Sequence, residues 1–237
     1  MDEASPRKDD LLVFLGDYVD KGPDVRGVID YLLCLSKTHN AVFLRGNHDQ
    51  MMIDAYREPM KMAIWECLAG ENPLSSYGNG RTALLLDKVP SEHWSFLESA
   101  CRDYFATPDY IFVHGGIQPH VHPADEAPDR LQWMTLSVAE KHLSGRTVIC
   151  GHSAQRSGEI TDLGHTICID TNITHGGWLS CLARLSIGRP IQMVCVEVEG
   201  FVDVARFADM APVFCCRSRN QLRTRTRRIL EVLRLRP

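Results

Sequence analysis

The chain has no uninterrupted apolar run of about 18 residues, which excludes an ordinary membrane-spanning helix. Its first ten residues, with Asp2, Glu3, Arg7, Lys8, Asp9 and Asp10, also lack the apolar centre of a signal peptide. No membrane partner and a cytoplasmic location are expected. There is no C-x-x-C pair among the nine cysteines, so neither a zinc knuckle nor a dithiol redox motif is indicated. Cys150, Cys168 and Cys195 fall within apolar runs and read as buried, reduced thiols. Net charge is also scarce: −4 overall, with a pI near 6.2, gives no global attraction to nucleic acid. That average conceals a tail, residues 217 to 237, carrying eight Arg against the single acid Glu231. It reads as a frayed, solvated terminus.

What is present is ample core material, 44% apolar residues in a chain of 237, arranged in a recurring pattern. Short apolar runs at Leu11 to Leu15, Ala41 to Leu44, Tyr110 to Val113 and Thr147 to Cys150 have the look of buried strands. Stretches of helical period lie between them: Val28 to Leu35, Met51 to Leu68 and Glu92 to Tyr104, the last with Ser91 as N-cap. This alternation predicts an α/β domain. Beyond residue 159 the strands Thr166 to Asp170, Gly177 to Leu185 and Ile191 to Val198 come at short spacing. The Gly188-Arg189-Pro190 turn gives the last two an antiparallel pairing. Three segments follow: a loop-like remnant at 1–10, one domain over 11–208, and the Arg-rich tail over 209–237.

Each of the first four strands ends in a Gly-containing polar turn: Gly16-Asp17, Gly46-Asn47-His48-Asp49, His114-Gly115-Gly116 and Gly151-His152-Ser153. Ligands of open α/β sheets bind just past the carboxyl ends of strands, so these turns can converge although they are distant in sequence. One carboxylate, one carboxamide and two imidazoles form a donor set suited to Mn, Fe or Zn. Singly, each turn reads as an ordinary Asx turn or a satisfied histidine. The inference rests on all four together.

Those blocks, with Gly16-Asp17-Tyr18-Val19-Asp20-Lys21-Gly22, Leu44-Arg45-Gly46-Asn47-His48-Asp49 and the later Ser76-Tyr77-Gly78 and Ile169-Asp170-Thr171, resemble the signature of calcineurin-like metallophosphoesterases. Within that superfamily they are similar to the phosphoprotein phosphatase branch, meaning bacterial serine/threonine phosphatases and symmetrical diadenosine tetraphosphatases. The resemblance implies a two-sheet β-sandwich flanked by helices and a centre of two divalent ions, Mn foremost. Asp17 would bridge the ions, and Asn47, His114 and His152 would complete the shell of one. His48, held by Asp20, would be the general acid, and Lys21 and Arg45 would contact the phosphate. The implied reaction is hydrolysis of phosphoserine or phosphothreonine in protein; the alternatives are diadenosine tetraphosphate hydrolysis and an inactive metal- or phosphate-binding fragment. Phosphoproteins or phosphorylated small molecules are the expected partners.

Three departures qualify the match. The family's opening Gly-Asp-x-His-Gly block, roughly 30 residues ahead of the second, has no counterpart before Gly16. The expected first strand and helix are then missing, and at most one tightly held ion and near-background turnover are expected. Lys21 stands where the branch carries Arg, which keeps the charge but loses the bidentate fork. Thr135, in Trp133-Met134-Thr135, replaces a second phosphate-contacting Arg. If Met1 is an internal methionine, genomic DNA should encode Gly-Asp-x-His-Gly in frame within roughly 25 to 40 codons upstream, the span of one strand and one crossover helix. Immediate stop codons without a frameshift would refute that start.

Overall fold

A computed structural model describes residues 10–70, 73–177, 179–186 and 189–196. The expected N-terminal remnant, apart from Asp10, the Gly188 turn and the Arg-rich tail lie outside the described residues. The chain runs through β1 (Leu11–Phe14), α1 (Val25–Ser36), β2 (Asn40–Phe43), α2 (Asn47–Arg57), α3 (Met62–Ala69), α4 (Thr82–Leu86) and α5 (Ser91–Ser95). It continues through β3 (Tyr104–Ala106), β4 (Tyr110–Val113), α6 (Pro128–Trp133), β5 (Thr147–Cys150), β6 (Thr161–Asp162), β7 (Thr166–Cys168), β8 (Cys181–Ser186) and β9 (Arg189–Val196).

Two sheets result, one in the order β2-β1-β9-β8 and the other β3-β4-β5-β7-β6. The pairs β1·β2, β4·β5 and β5·β7 are parallel, so the four turn-bearing strands present their carboxyl ends in sets. Side-chain alternation assigns three layers. Val13, Leu15, Val42 and Leu44 from the first sheet meet Phe112, Ile149, Ile167 and Ile169 from the second in one buried cluster between the sheets. On the opposite face of β1, Leu12 and Phe14 pack with the helices α1 to α5. The other face of the second sheet places Ile111, Val113, Val148 and Cys150 against Ile117 and Leu131. This is the expected helix-flanked sandwich, and β8 and β9 pair antiparallel as their spacing implied.

Local chemistry moved several boundaries. The single helix expected over Met51 to Leu68 breaks at Pro59, which cannot donate within a helix; a 3₁₀ turn at Pro59–Lys61 links α2 to α3. Met52 is in the core, whereas Met60 is 94% exposed on that turn. The helix expected from Glu92 to Tyr104 stops at Ala100 after a π-helical turn, Phe96–Ala100, and Tyr104 opens β3. Pro90, not Ser91, occupies the cap position. The π turn rotates Phe96 inward, where its ring meets Phe43 at 5.0 Å and Tyr18 at 5.4 Å. Edge-to-face aromatic contacts of this kind add to simple area burial. Phe96→Ala should therefore cost about 3–5 kcal/mol, read as a lower denaturant midpoint at unchanged slope in chemical unfolding. A loss below about 1 kcal/mol would mean that this cluster does not anchor the helical layer.

Candidate active site

The loop after β1 is folded tightly against the turn after β2. Gly16 has φ +106°, and a Cβ placed on it would lie 2.5 Å from the Gly46 amide nitrogen. A Cβ on Gly46 would lie 2.0 Å from Asp17 Oδ1, so neither position tolerates a side chain. Asp17, Asp20 and Lys21 are themselves left-handed, at φ 59°, 68° and 53°. Such backbone survives only where partners over-determine it, and Asp49 is the chief partner. This buried carboxylate, at the third residue of α2, accepts the amide N–H of Asp17 (2.8 Å), Tyr18 (2.8 Å) and Gly46 (2.8 Å). Asp17 Oδ1 in turn accepts the His48 amide N–H at 3.0 Å.

Four predicted residues meet here. His114 uses Nδ1 on the Leu15 carbonyl, 2.7 Å away, and turns Nε2 toward Asn47 Oδ1 (2.9 Å) and Asp17 Oδ2 (3.3 Å). His152, left-handed at φ 60°, points Nδ1 to the same Asn47 Oδ1 at 3.0 Å, and its ring also hydrogen-bonds the Trp133 backbone. Beside this group His48 Nδ1 lies 2.6 Å from Asp20 Oδ2, and Asp20 has no exposure. Trp65, from α3, donates its indole N–H to both Asp20 oxygens, at 3.1 and 3.0 Å. Lys21 sits at the edge, its ammonium donating to the Leu68 carbonyl.

Arg45 is not brought to this group. Its Nε and Nη2 donate to the carbonyls of Leu97 (3.2 Å), Glu98 (2.9 Å) and Cys101 (3.2 Å), and its Nη1 to Gln50 Oε1 at 3.2 Å. The guanidinium holds the π-helical turn, so the expected phosphate contact is replaced by a scaffold role. Thr135 bonds Ser137 nearby, and Arg130 lies exposed on α6. Asp170 is buried after β7; its Oδ1 caps the Asn172 amide at 2.8 Å, as a turn-forming Asp would, and its Oδ2 has no hydrogen-bond partner.

A family model for calcineurin-like phosphoesterases matches residues 1–170. The chain belongs to this family. Among solved structures it is similar to a protein provisionally named a diadenosine tetraphosphatase, at 19% identity and TM-score 0.53, covering 81% of this chain and 82% of that one. It also matches a metallophosphoesterase from Sphaerobacter thermophilus at 17% identity and TM-score 0.42, covering 82% of this chain and 67% of that one. A third match is a cold-active protein-tyrosine phosphatase of a psychrophilic Shewanella species, at 17% identity and TM-score 0.45, covering 77% and 66% respectively. At its identity the first speaks for the fold alone.

Calcineurin-like phosphoesterases generally hold two divalent metal ions. The donor chemistry here fits one of them. His114 sets Nδ1 on a backbone carbonyl and Nε2 toward the oxygens of Asn47 and Asp17, so that loss of the Nε2 proton would free a lone pair there. Buried oxygens gathered this closely around an imidazole call for positive charge among them. With no ion bound, the Nε2 proton of His114 supplies that charge. Burial would pull the His114 imidazole down, but the Asp17 carboxylate raises it to about 9. Burial likewise opposes ionisation of Asp17, yet His114 and His48 hold its carboxyl well below the usual range. His152, pushed down to about 4 by burial and by His114, stays neutral and ligand-ready. Burial and then Asp17 raise Asp49 to about 7, while its amide donors act the other way.

Asp17, Asn47, His114 and His152 would thus offer four donors to one ion. Elemental analysis and titration calorimetry with Mn²⁺ should find about one tight ion per chain, and His152→Ala should weaken it about tenfold or more. Two tight ions, or unchanged affinity in that variant, would overturn this donor assignment.

The sequence reading missed Asp49 as the staple between loops and Trp65 as a partner of Asp20. Asp49 carried a signal, since an acid three residues past Gly46 at a helix start is a capping pattern. Trp65 carried none, because 45 residues separate it from Asp20.

Proposed function

We propose that this metal-dependent phosphoester hydrolase acts as a serine/threonine protein phosphatase, with Mn²⁺ as its preferred ion and the cytoplasm as its setting. The observation that carries the reading is the His48–Asp20 contact beside the donor cluster. Bound divalent ions would screen the phosphoryl charge and activate a water at neutral pH. Asp17, Asn47, His114 and His152 would hold one such ion. Asp20, accepting from His48 Nδ1, fixes the imidazole so that Nε2 is left to serve the leaving oxygen. His48 is the one imidazole of the three free of the donor cluster, and with Asp20 and Asp17 beside it its pKa is raised although burial works against it. Lys21, at the mouth of the loop, supplies a cation for the phosphate without bidentate geometry.

The same pair bears on the substrate. An alkoxide leaves poorly unless protonated, whereas the phosphate group released from a dinucleotide polyphosphate leaves readily. A buried carboxylate dedicated to one imidazole has its largest effect on an alkyl phosphate, which favours phosphoserine and phosphothreonine over diadenosine tetraphosphate. The free thiols Cys34, Cys67, Cys101, Cys150, Cys168 and Cys181 accord with a reducing compartment, and no described helix is long and apolar enough to cross a membrane.

The test compares a phosphoserine peptide, p-nitrophenyl phosphate and diadenosine tetraphosphate under Mn²⁺ in a chain supplied with a Gly-Asp-x-His-Gly block ahead of Gly16, where turnover is expected above background. His48→Asn should lower turnover of the peptide by about 10²- to 10⁴-fold, the usual worth of general acid catalysis, and the aryl ester far less. Asn47→Ala should damage both alike by removing a donor. Equal losses on both esters for His48→Asn, with metal retained, would make His48 a phosphate-binding group. Preferential turnover of the dinucleotide would move the assignment to that substrate, and metal binding without turnover of any of the three would leave a binding protein.

A further inference from the structure

Asp20 is a fully buried carboxylate whose position decides that of His48, and α3 builds its surroundings. Trp65, 1% exposed, stands at the centre of that helix and shares its indole N–H between Asp20 Oδ1 and Oδ2 at nearly equal distance. A donor straddling both oxygens resists rotation of the carboxylate about its last torsion, which is otherwise a broad and soft one. Oδ2 is also the atom 2.6 Å from His48 Nδ1, so the indole and the imidazole meet on one oxygen. The end of α3 holds the same loop twice more, through the Ala69 carbonyl to the Lys21 amide at 3.2 Å and through the Leu68 carbonyl to the Lys21 ammonium. Asp20 keeps its left-handed backbone, φ 68°, between these ties.

We propose that Trp65 is a positioning residue for the reaction: its indole N–H locks the Asp20 carboxylate in the orientation that presents His48 Nε2 to the leaving oxygen. The inference rests on the reading of His48 as the acid. It assigns to α3 a part in turnover, beyond its packing in the helical layer. A buried indole satisfied by any carbonyl would serve packing equally; one that bridges the two oxygens of the carboxylate bonded to His48 transmits its placement to the imidazole.

The decisive variant is Trp65→Phe, which keeps an aromatic ring and removes the donor, tested with Mn²⁺ in the chain carrying that added block, beside Asp20→Asn and the double variant. Loss of one buried hydrogen bond should lower kcat on the phosphoserine peptide about three- to tenfold with KM within about twofold. Turnover of p-nitrophenyl phosphate should stay within about twofold. In the Asp20→Asn background Trp65→Phe should add nothing, because both act through one carboxylate. Trp94→Phe, which also removes a buried indole from the helical layer, should show no such selectivity between esters.

Equal losses on both esters, or losses that multiply in the double variant, would overturn the proposal. A second measurement needs neither substrate, metal nor a variant at Trp65. The Trp65 indole ¹H–¹⁵N resonance should shift in Asp20→Asn while those of Trp94 and Trp133 stay in place; an unmoved Trp65 signal would equally overturn it. If His48→Asn itself fails to separate the two esters, the acid reading falls, whereas the double variant and the resonance still report whether Trp65 acts on Asp20.

Discussion

The site depends on one carboxylate that need never meet a substrate. Asp49 gathers three amide donors from two loops, and without that acceptor Asp17 N–H, Tyr18 N–H and Gly46 N–H would be buried and unpaired. Each such orphan costs about 1–3 kcal/mol, which is ample to open a loop already bent into left-handed conformations. Because two of the three donors come from the Asp17 loop and the third from Gly46, the staple fixes the spacing between the ends of β1 and β2. It also sets Asp17 over the first turn of α2, where the His48 amide meets its Oδ1. The helix N-terminus then adds its partial positive charge to the same carboxylate.

Much of this was legible in the chain. Strand positions followed from short apolar runs ending in glycine turns, and β1, β2, β4 and β5 lie within a residue of where those runs place them. The four donors were legible for the same reason: a polar residue one or two places past a buried strand has nowhere to go except the sheet's carboxyl edge. Arg45 shows the limit. Its place in Arg45-Gly46-Asn47-His48 suggested an anion contact, but three carbonyls bared by the π-helical turn after α5 compete for its donors. That turn has no clear sequence signature, so its demand on Arg45 was invisible. Trp65 was unreadable for a related reason, since a tryptophan in an apolar helix looks like packing until the partner of its N–H is known.

Helix endings divide in the same way. Pro59 is a local constraint and broke the Met51 to Leu68 stretch where proline chemistry requires it. The stop at Ala100 is a tertiary effect: Phe96 is drawn under Phe43, and Tyr104 pairs with Val113 across β3 and β4. Propensity over 92 to 104 favours a continuous helix, and the strand pairing overrides it.

The donor cluster is drawn from both halves of the sandwich. Asp17 and Asn47 follow strands of the first sheet, His114 and His152 follow strands of the second, and the His114 imidazole bonds the Leu15 carbonyl across the gap. The separation of the donors is therefore set by how Val13, Leu15, Val42 and Leu44 pack on Phe112, Ile149, Ile167 and Ile169. Interiors at crystal-like density do not deform continuously, so the sheets hold that separation without help from the ligand. The coupling also runs the other way. Any cation bound among these four donors ties the two sheets at their carboxyl edges, and its binding free energy is then free energy of the folded sandwich as well. Core residues far from the chemistry would thereby tune the affinity for such an ion, and its binding would in turn support the core.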